Sequence, residues 1–199
     1  MYHKYITNEY FNLTEGHNKI FHIDSTLILN KLGVDAVSFN CQIHKHKTSK
    51  ISVVVDNFSF PIDIIIEDGK THDSKIAAEH LLNMKEKFEN IMDNENLMFG
   101  DAAYDSNVLR TIAKDIKFGK IITPHNPRNS KKKEKKQSVS FMNKLMLKDR
   151  IKIEHYFAKL KKRTKIENRF DRYKINFENT VKLTATFYMF SSINQISNS

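Results

Sequence analysis

Three acidic residues stand where an apolar element delivers them. They are Asp24 in Phe21-His22-Ile23-Asp24-Ser25-Thr26, Asp101 in Phe99-Gly100-Asp101-Ala102-Ala103-Tyr104-Asp105, and Glu154 in Arg150-Ile151-Lys152-Ile153-Glu154-His155-Tyr156-Phe157. The first two belong to strand-like stretches, where an unpaired charge is expensive to bury and needs a reason. The third rides on a densely basic helix. Three carboxylates brought together from separate elements suit a hard divalent cation, whose shell is completed by water and phosphate oxygens. In two-metal phosphoryl chemistry, two such ions roughly 3.5–4 Å apart clamp the attacking and leaving oxygens. Beside a basic surface, the substrate such a trio fits is a phosphodiester, as in an enzyme that cuts or joins DNA. The bland alternative is that most of the 23 acids are solvated surface. Glu154 alone, flanked by Lys and Arg, reads equally well as half of an exposed ion pair.

Charge points the same way. The chain of 199 residues has 33 Lys+Arg against 23 Asp+Glu, a net of +10. Positions 128–174 hold 18 basic and 5 acidic residues, a net of +13, which leaves 15 basic and 18 acidic residues, a net of −3, for the remainder. Such a concentration suits a polyanion, because phosphate neutralisation with counterion release drives nucleic-acid binding. The basic residues do not flank one clean apolar stripe, which argues against a membrane surface. No apolar run approaches the roughly 20 residues of a membrane span, and Met1-Tyr2-His3-Lys4-Tyr5 is no signal peptide. The single Cys41 excludes an internal disulfide and a cysteine-built zinc site. A soluble intracellular protein is expected.

The elements that must position the acids follow from periodicity. Residues 1–18 are polar and mixed, an expected poorly ordered lead-in, and the rest, 19–196, reads as one domain. Ile20–Leu29 reads as a strand, and Ile51–Asp56 with Pro61–Glu67 as a hairpin closed by Asp68-Gly69. Asp73 or Ser74 is placed to cap a helix carrying Ala77, Leu81, Met84, Phe88 and Ile91 on one stripe. A short strand at Asn96–Gly100 ends at Asp101. A helix capped at Asp105-Ser106 runs through Ala113, and Gly119–Pro124 is another strand. Arg128–Gln137, with six basic residues, reads as a surface loop. Leu145–Lys165 is expected to be helical, with Ile153, Phe157 and Leu160 buried and Arg150, Glu154, Ala158 and Lys161 sharing another side. A last helix near Glu178–Ile196 is apolar almost all round and is expected to pack into the core. The order is that of a mixed α/β sheet flanked by helices.

The three acidic segments, in this order and on these elements, resemble the catalytic blocks of DDE transposases of bacterial insertion sequences, within the ribonuclease H-like superfamily that includes retroviral integrases. The matching stretches are His22-Ile23-Asp24-Ser25-Thr26, Gly100-Asp101-Ala102-Ala103-Tyr104-Asp105-Ser106, and Arg150, Glu154, Phe157, Leu160 and Lys161 in Arg150-(x3)-Glu154-(x2)-Phe157-(x2)-Leu160-Lys161. The resemblance implies a five-stranded ribonuclease H-like sheet. Asp24, Asp101 and Glu154 would bind two Mg²⁺ ions, replaceable by Mn²⁺, for strand cleavage followed by attack of the freed 3′-hydroxyl on target DNA. It further implies DNA contacts by Arg150 and Lys161, by Lys131, Lys132 and Lys133 in the basic loop, and by Lys45 and Lys47 in His44-Lys45-His46-Lys47. Assembly of several copies on DNA is implied as well. Relatives carry a helical DNA-recognition region before the first strand. Here only about 20 residues precede Asp24, so that domain is expected to be absent and a separate recognition chain is a candidate partner. Two other readings stay open: a catalytically idle DNA-binding remnant, and a generic nuclease of the same superfamily. His72-Asp73 is set aside as a helix cap rather than a metal site, and the scarcity of glycine excludes a phosphate-binding loop.

Overall fold

The computed structural model describes residues 2–14, 19–39, 46–88, 92–126, 147–163 and 165–197. In chain order the elements are α1 (Tyr2–Leu13), β1 (Ile20–Asn30), β2 (Ser38–Phe39), β3 (Lys47–Asp56), β4 (Pro61–Asp68), α2 (Asp73–Lys87), β5 (Leu97–Phe99), α3 (Asn107–Asp115), β6 (Lys120–Ile122), α4 (Ile151–Arg163), β7 (Asn168–Arg169) and α5 (Lys174–Ser197).

Five strands form the body of one mixed sheet in the order β4-β3-β1-β5-β6. β3 is antiparallel to both β1 and β4, while β5 and β6 run parallel to β1. The five-stranded body agrees with expectation. The two-residue strands β2 and β7 add short ladders to β3 and β1 and are too brief to carry a period.

Alternation along β1 sends successive side chains to opposite faces. Phe21 and Ile23 join the core under α1, α2 and α3, which includes Val54, Phe60, Leu81, Phe88 and Phe118. Ile28 joins the other core, under α4 and α5, with Ile51, Val53, Ile153, Phe157, Leu160, Phe177 and Val181. Each fully buried Ile, Leu or Phe stabilises the fold by about 1.5–3 kcal/mol. Both faces are therefore covered, and Asp24, in step with Ile28, lies on the α4 face.

Three expectations are corrected. Residues 2–13 form a helix rather than a loose lead-in, because Ile6, Tyr10 and Phe11 are buried. The Tyr10 ring stacks on Phe60 with centroids 3.7 Å apart, and Phe11 meets Phe88 edge-on at 5.8 Å. Second, α2 begins at Asp73 with His72 in the capping position and no side-chain cap bond. The Asp73 carboxylate is held instead by the Lys50 ammonium and the Ser25 hydroxyl. Third, α5 is not buried all round: Phe177, Val181 and Ala185 face the core, whereas Leu183, Phe187 and Phe190 are exposed. The basic loop near 128–137, with Lys131, Lys132 and Lys133, lies outside the described residues, as do Lys45 and Ile91.

Candidate active site

Asp24 sits mid-strand on β1, opposite Val53 of β3. Asp101 follows β5 directly, and since β5 is hydrogen-bonded to β1, neighbouring strands bring both carboxylates to one cavity of about 830 Å³. The chain turns sharply at Asp101, whose carboxylate accepts the Ala103 N–H at 2.7 Å and caps a single 3-10 turn, Ala102–Tyr104. Gly100 permits that turn, because a β-carbon there would lie 2.9 Å from the Tyr104 ring. Asp105 braces the far side by accepting the Asn126 N–H at 2.8 Å and pairing with Arg110 at 2.6 Å.

The two acids differ in surroundings. Burial pushes the Asp24 carboxyl above the ordinary carboxylate range and Asp101 adds repulsion, while the Ser25 N–H and Arg150 pull it back down. The Arg150 guanidinium reaches Asp24 at 3.0 Å, both side chains being about one-fifth exposed. Asp101 has no cationic partner among the described residues. Buried Tyr104 lines the same cavity, and its hydroxyl is pushed well up by burial, then by the negative charges of Asp73, Asp24 and Asp101. The neighbourhood is thus rich in carboxylate oxygens and short of compensating charge, apart from Arg150 at Asp24 and Lys50 at Asp73, 2.9 Å away.

Glu154 is not among the residues lining this cavity. It is exposed on α4, and no ion pair involves it among the described residues. Its neighbours on the same helical side do reach β1: Arg150 holds Asp24, and the Lys161 ammonium donates to the Thr26 hydroxyl at 2.7 Å. Burial draws the Lys161 amine below its ordinary value. Among the described residues no three acidic, histidine or cysteine side chains are gathered closely enough to hold an ion. Two of the three expected acids meet, and the third does not join them here. His22, two positions before Asp24, is fully buried against Phe99, and burial lowers its imidazole to about 4, so it is neutral near pH 7.

Sequence reasoning missed three contributors to the cavity. Lys50 and Asp73 form an ion pair whose partners come from a strand and a helix start, and the only hint was a lysine inside the apolar strand β3. Phe39 lines the cavity from β2, an element too short to foresee.

Residues 16–190 match the transposase DDE domain. The chain belongs to that family. Its fold is similar to that of piggyBac transposase, seen in a synaptic complex with hairpin DNA, with a TM-score of 0.54 at 10% identity over 87% of this chain and 47% of that one. The Mos1 strand transfer complex aligns with a TM-score of 0.49 at 14% identity, over 98% of this chain and 57% of that one. The transposase domain therefore has the expected ribonuclease H-like α/β fold, and it spans about half the length of the piggyBac chain. No curated protein matches the chain in sequence. Among the described residues no helix is long and apolar enough to cross a membrane.

Proposed function

We propose that this domain cleaves a DNA strand and transfers the freed end into a second DNA during transposition, with Asp24, Asp101 and Glu154 as its catalytic acids. The observation that supports this most is the shared cavity of Asp24 and Asp101 inside a chain that matches the transposase DDE domain over residues 16–190. The donor chemistry fits divalent ions: hard carboxylate oxygens, one of them partly desolvated and already balanced by a guanidinium. Asp24 and Asp101 would hold Mg²⁺ or Mn²⁺ from the sheet side, with Glu154 added from α4. Bound there, the ions supply an activated water or hydroxyl and neutralise charge on the phosphate.

The chain's own residues do the remaining work. β1 and β5 fix the separation of the two aspartates through backbone ladders. The turn after Asp101, braced by Asp105, keeps that carboxylate at the cavity. Arg150 and Lys161, with Lys131, Lys132, Lys133, Lys45 and Lys47, contact DNA phosphates, and several copies assemble on the DNA. A separate chain could supply recognition of the ends.

The second reading is a catalytically idle DNA-binding remnant. It is favoured by the absence of Glu154 from the residues lining the cavity and by Arg150 occupying the Asp24 carboxylate. The test is nicking and joining of supercoiled plasmid and pre-cut oligonucleotide ends with Mg²⁺ or Mn²⁺, beside Asp24→Ala and Glu154→Ala. Metal-dependent joining lost in both variants supports the catalytic reading. Salt-sensitive binding without nicking or joining supports the remnant.

A further inference from the structure

The cavity extends well beyond the two aspartates. Leu27, Phe39, Lys70, Thr71 and His72 line its continuation along β1 and the turn that follows β4. Phe39 pairs with Lys47 in the sheet, whereas Asp24 pairs with Val53 six positions further along β3. At about 3.3–3.4 Å per strand residue the two sites are roughly 20 Å apart, the rise of about six stacked nucleotides. The cavity is therefore a trough with acids at one end and an aromatic ring at the other.

The aromatic end is built rather than accidental. Asp68 accepts hydrogen bonds from the Ser38 hydroxyl at 3.0 Å and from the Lys70 N–H at 2.7 Å, which fastens β2 and the turn at 68–71 together. Gly69 lets that turn lie on β3, since a β-carbon there would fall 2.0 Å from the Thr48 hydroxyl oxygen. The turn presents Lys70, which is exposed and has no carboxylate partner among the described residues. The Lys47 ammonium, likewise without one, lies 5.9 Å from the Phe39 ring centre. Phe39 itself is 54% exposed. Scattered exposed apolar residues need no explanation, but this one lies in the same trough as Asp24 and Asp101, with Lys70 also lining it and the Lys47 ammonium near the ring, neither paired with a carboxylate among the described residues. A ring plus basic groups along a groove is the chemistry that holds single-stranded nucleic acid, bases stacking on the ring and phosphates meeting the cations.

We propose that the Phe39–Lys70–Lys47 wall binds the unpaired DNA strand running on from the scissile phosphate, with Phe39 as the platform for one of its bases. This rests on reading Asp24 and Asp101 as the cutting centre. Stacking is tolerant of base identity, so the site selects strandedness rather than sequence.

The test uses the full chain without metal, a blunt duplex, and the same duplex with a single-stranded extension carrying 2-aminopurine at each position in turn. The extended DNA should bind roughly five- to a hundredfold more tightly than the blunt one, the contribution of one stacked base. Phe39→Ala should remove that preference while keeping blunt-duplex affinity, and Phe39→Trp should retain it. Lys70→Ala should shallow the salt dependence for extended DNA only. The 2-aminopurine response should peak several nucleotides from the junction and vanish in Phe39→Ala. Equal weakening of both DNAs by Phe39→Ala, or an unchanged 2-aminopurine response, overturns the proposal. The readout is binding, so the two readings fail separately. A chain that never nicks or joins yet shows the Phe39-dependent preference keeps this site and loses the catalytic reading, and a cutting chain without that preference does the reverse.

Discussion

Replacing Arg150 with alanine should tighten divalent metal binding while lowering strand cleavage, two effects of opposite sign from one side chain. Arg150 donates to Asp24 at 3.0 Å in a site where both groups are about one-fifth exposed. A hydrogen bond to a charged group contributes about 1.5–3 kcal/mol. An ion taking the same Asp24 oxygen must displace that bond or share the carboxylate against a positive charge. Partial exposure and screening put the cost at the low end of the range, about tenfold in a dissociation constant. Arg150→Ala should therefore bind Mn²⁺ about tenfold more tightly near pH 7, and Arg150→Lys, which keeps charge without the planar fork, should fall between. The advantage should shrink in acid. Burial already raises the Asp24 carboxyl and Arg150 pulls it down, so loss of Arg150 lets it rise further and protons compete with the ion.

The assay is titration of free Mn²⁺ by electron paramagnetic resonance, with Asp24→Ala as the blank and plasmid nicking measured on the same preparations. Affinity moving up while nicking falls cannot come from partial unfolding, which lowers both. If Arg150→Ala binds Mn²⁺ no more tightly than the unchanged chain, the guanidinium does not guard a metal position. If Asp24→Ala retains Mn²⁺ affinity, Asp24 is no ligand.

Two further perturbations probe the scaffold. His22 is buried with neither ring nitrogen hydrogen-bonded among the described residues, and its imidazole is lowered to about 4, below the ordinary 6.5. Between those values the unfolded chain binds a proton that the folded chain refuses, so His22 costs stability as pH falls through this window, up to about 3 kcal/mol. Asp56, raised to about 6 by burial, works in the opposite sense below that value. The His22 contribution therefore appears as the difference between the chain and His22→Phe in urea unfolding from about pH 7 to pH 4, and parallel pH profiles would refute it. Arg169 is fully buried and donates to the Asp35 carboxylate at 2.7 Å, the Ser49 hydroxyl at 2.9 Å and the Asp35 carbonyl at 2.8 Å. Because the Asp35 carboxylate is half exposed, Arg169→Ala should cost about 1.5–3 kcal/mol in urea unfolding, the worth of hydrogen bonding by a charged donor, and a loss below about 1 kcal/mol would show these bonds to be replaceable by water.

Much of this was legible because short apolar, β-branched runs bounded by turn residues have few places to go. β1, the β3–β4 hairpin and the strand leading into Asp101 followed from such runs, and with them the meeting of two aspartates on neighbouring strands. What stayed hidden depends on tertiary partners. The three buried apolar residues of α1 sit in polar text, and partners such as Phe60 and Phe88 give them a reason to be helical. Asp73 carries a cap signal by type, but its partner Lys50 lies 23 positions earlier on a strand. Arg169 looks like one more cation in the basic stretch, because composition counts charges without saying which ones turn inward.

Glu154 marks where pattern and packing part company. Helical geometry places Arg150, Glu154 and Lys161 within about 40° of one another around the axis of α4. The two basic members reach positions two residues apart on β1, at Asp24 and Thr26. Glu154, about 6 Å along the axis from Arg150, is bracketed by side chains that already converge on β1. The helix is thus anchored over β1 at both ends of this face, and moving it bodily would break the Lys161–Thr26 bond as well as the Arg150–Asp24 pair. Bringing the third carboxylate to Asp24 needs an exchange of side chains on one face, the guanidinium swinging out as the carboxylate turns in. Two carboxylates converging without a cation repel each other, so with no ion present the arginine is the stable neighbour for Asp24.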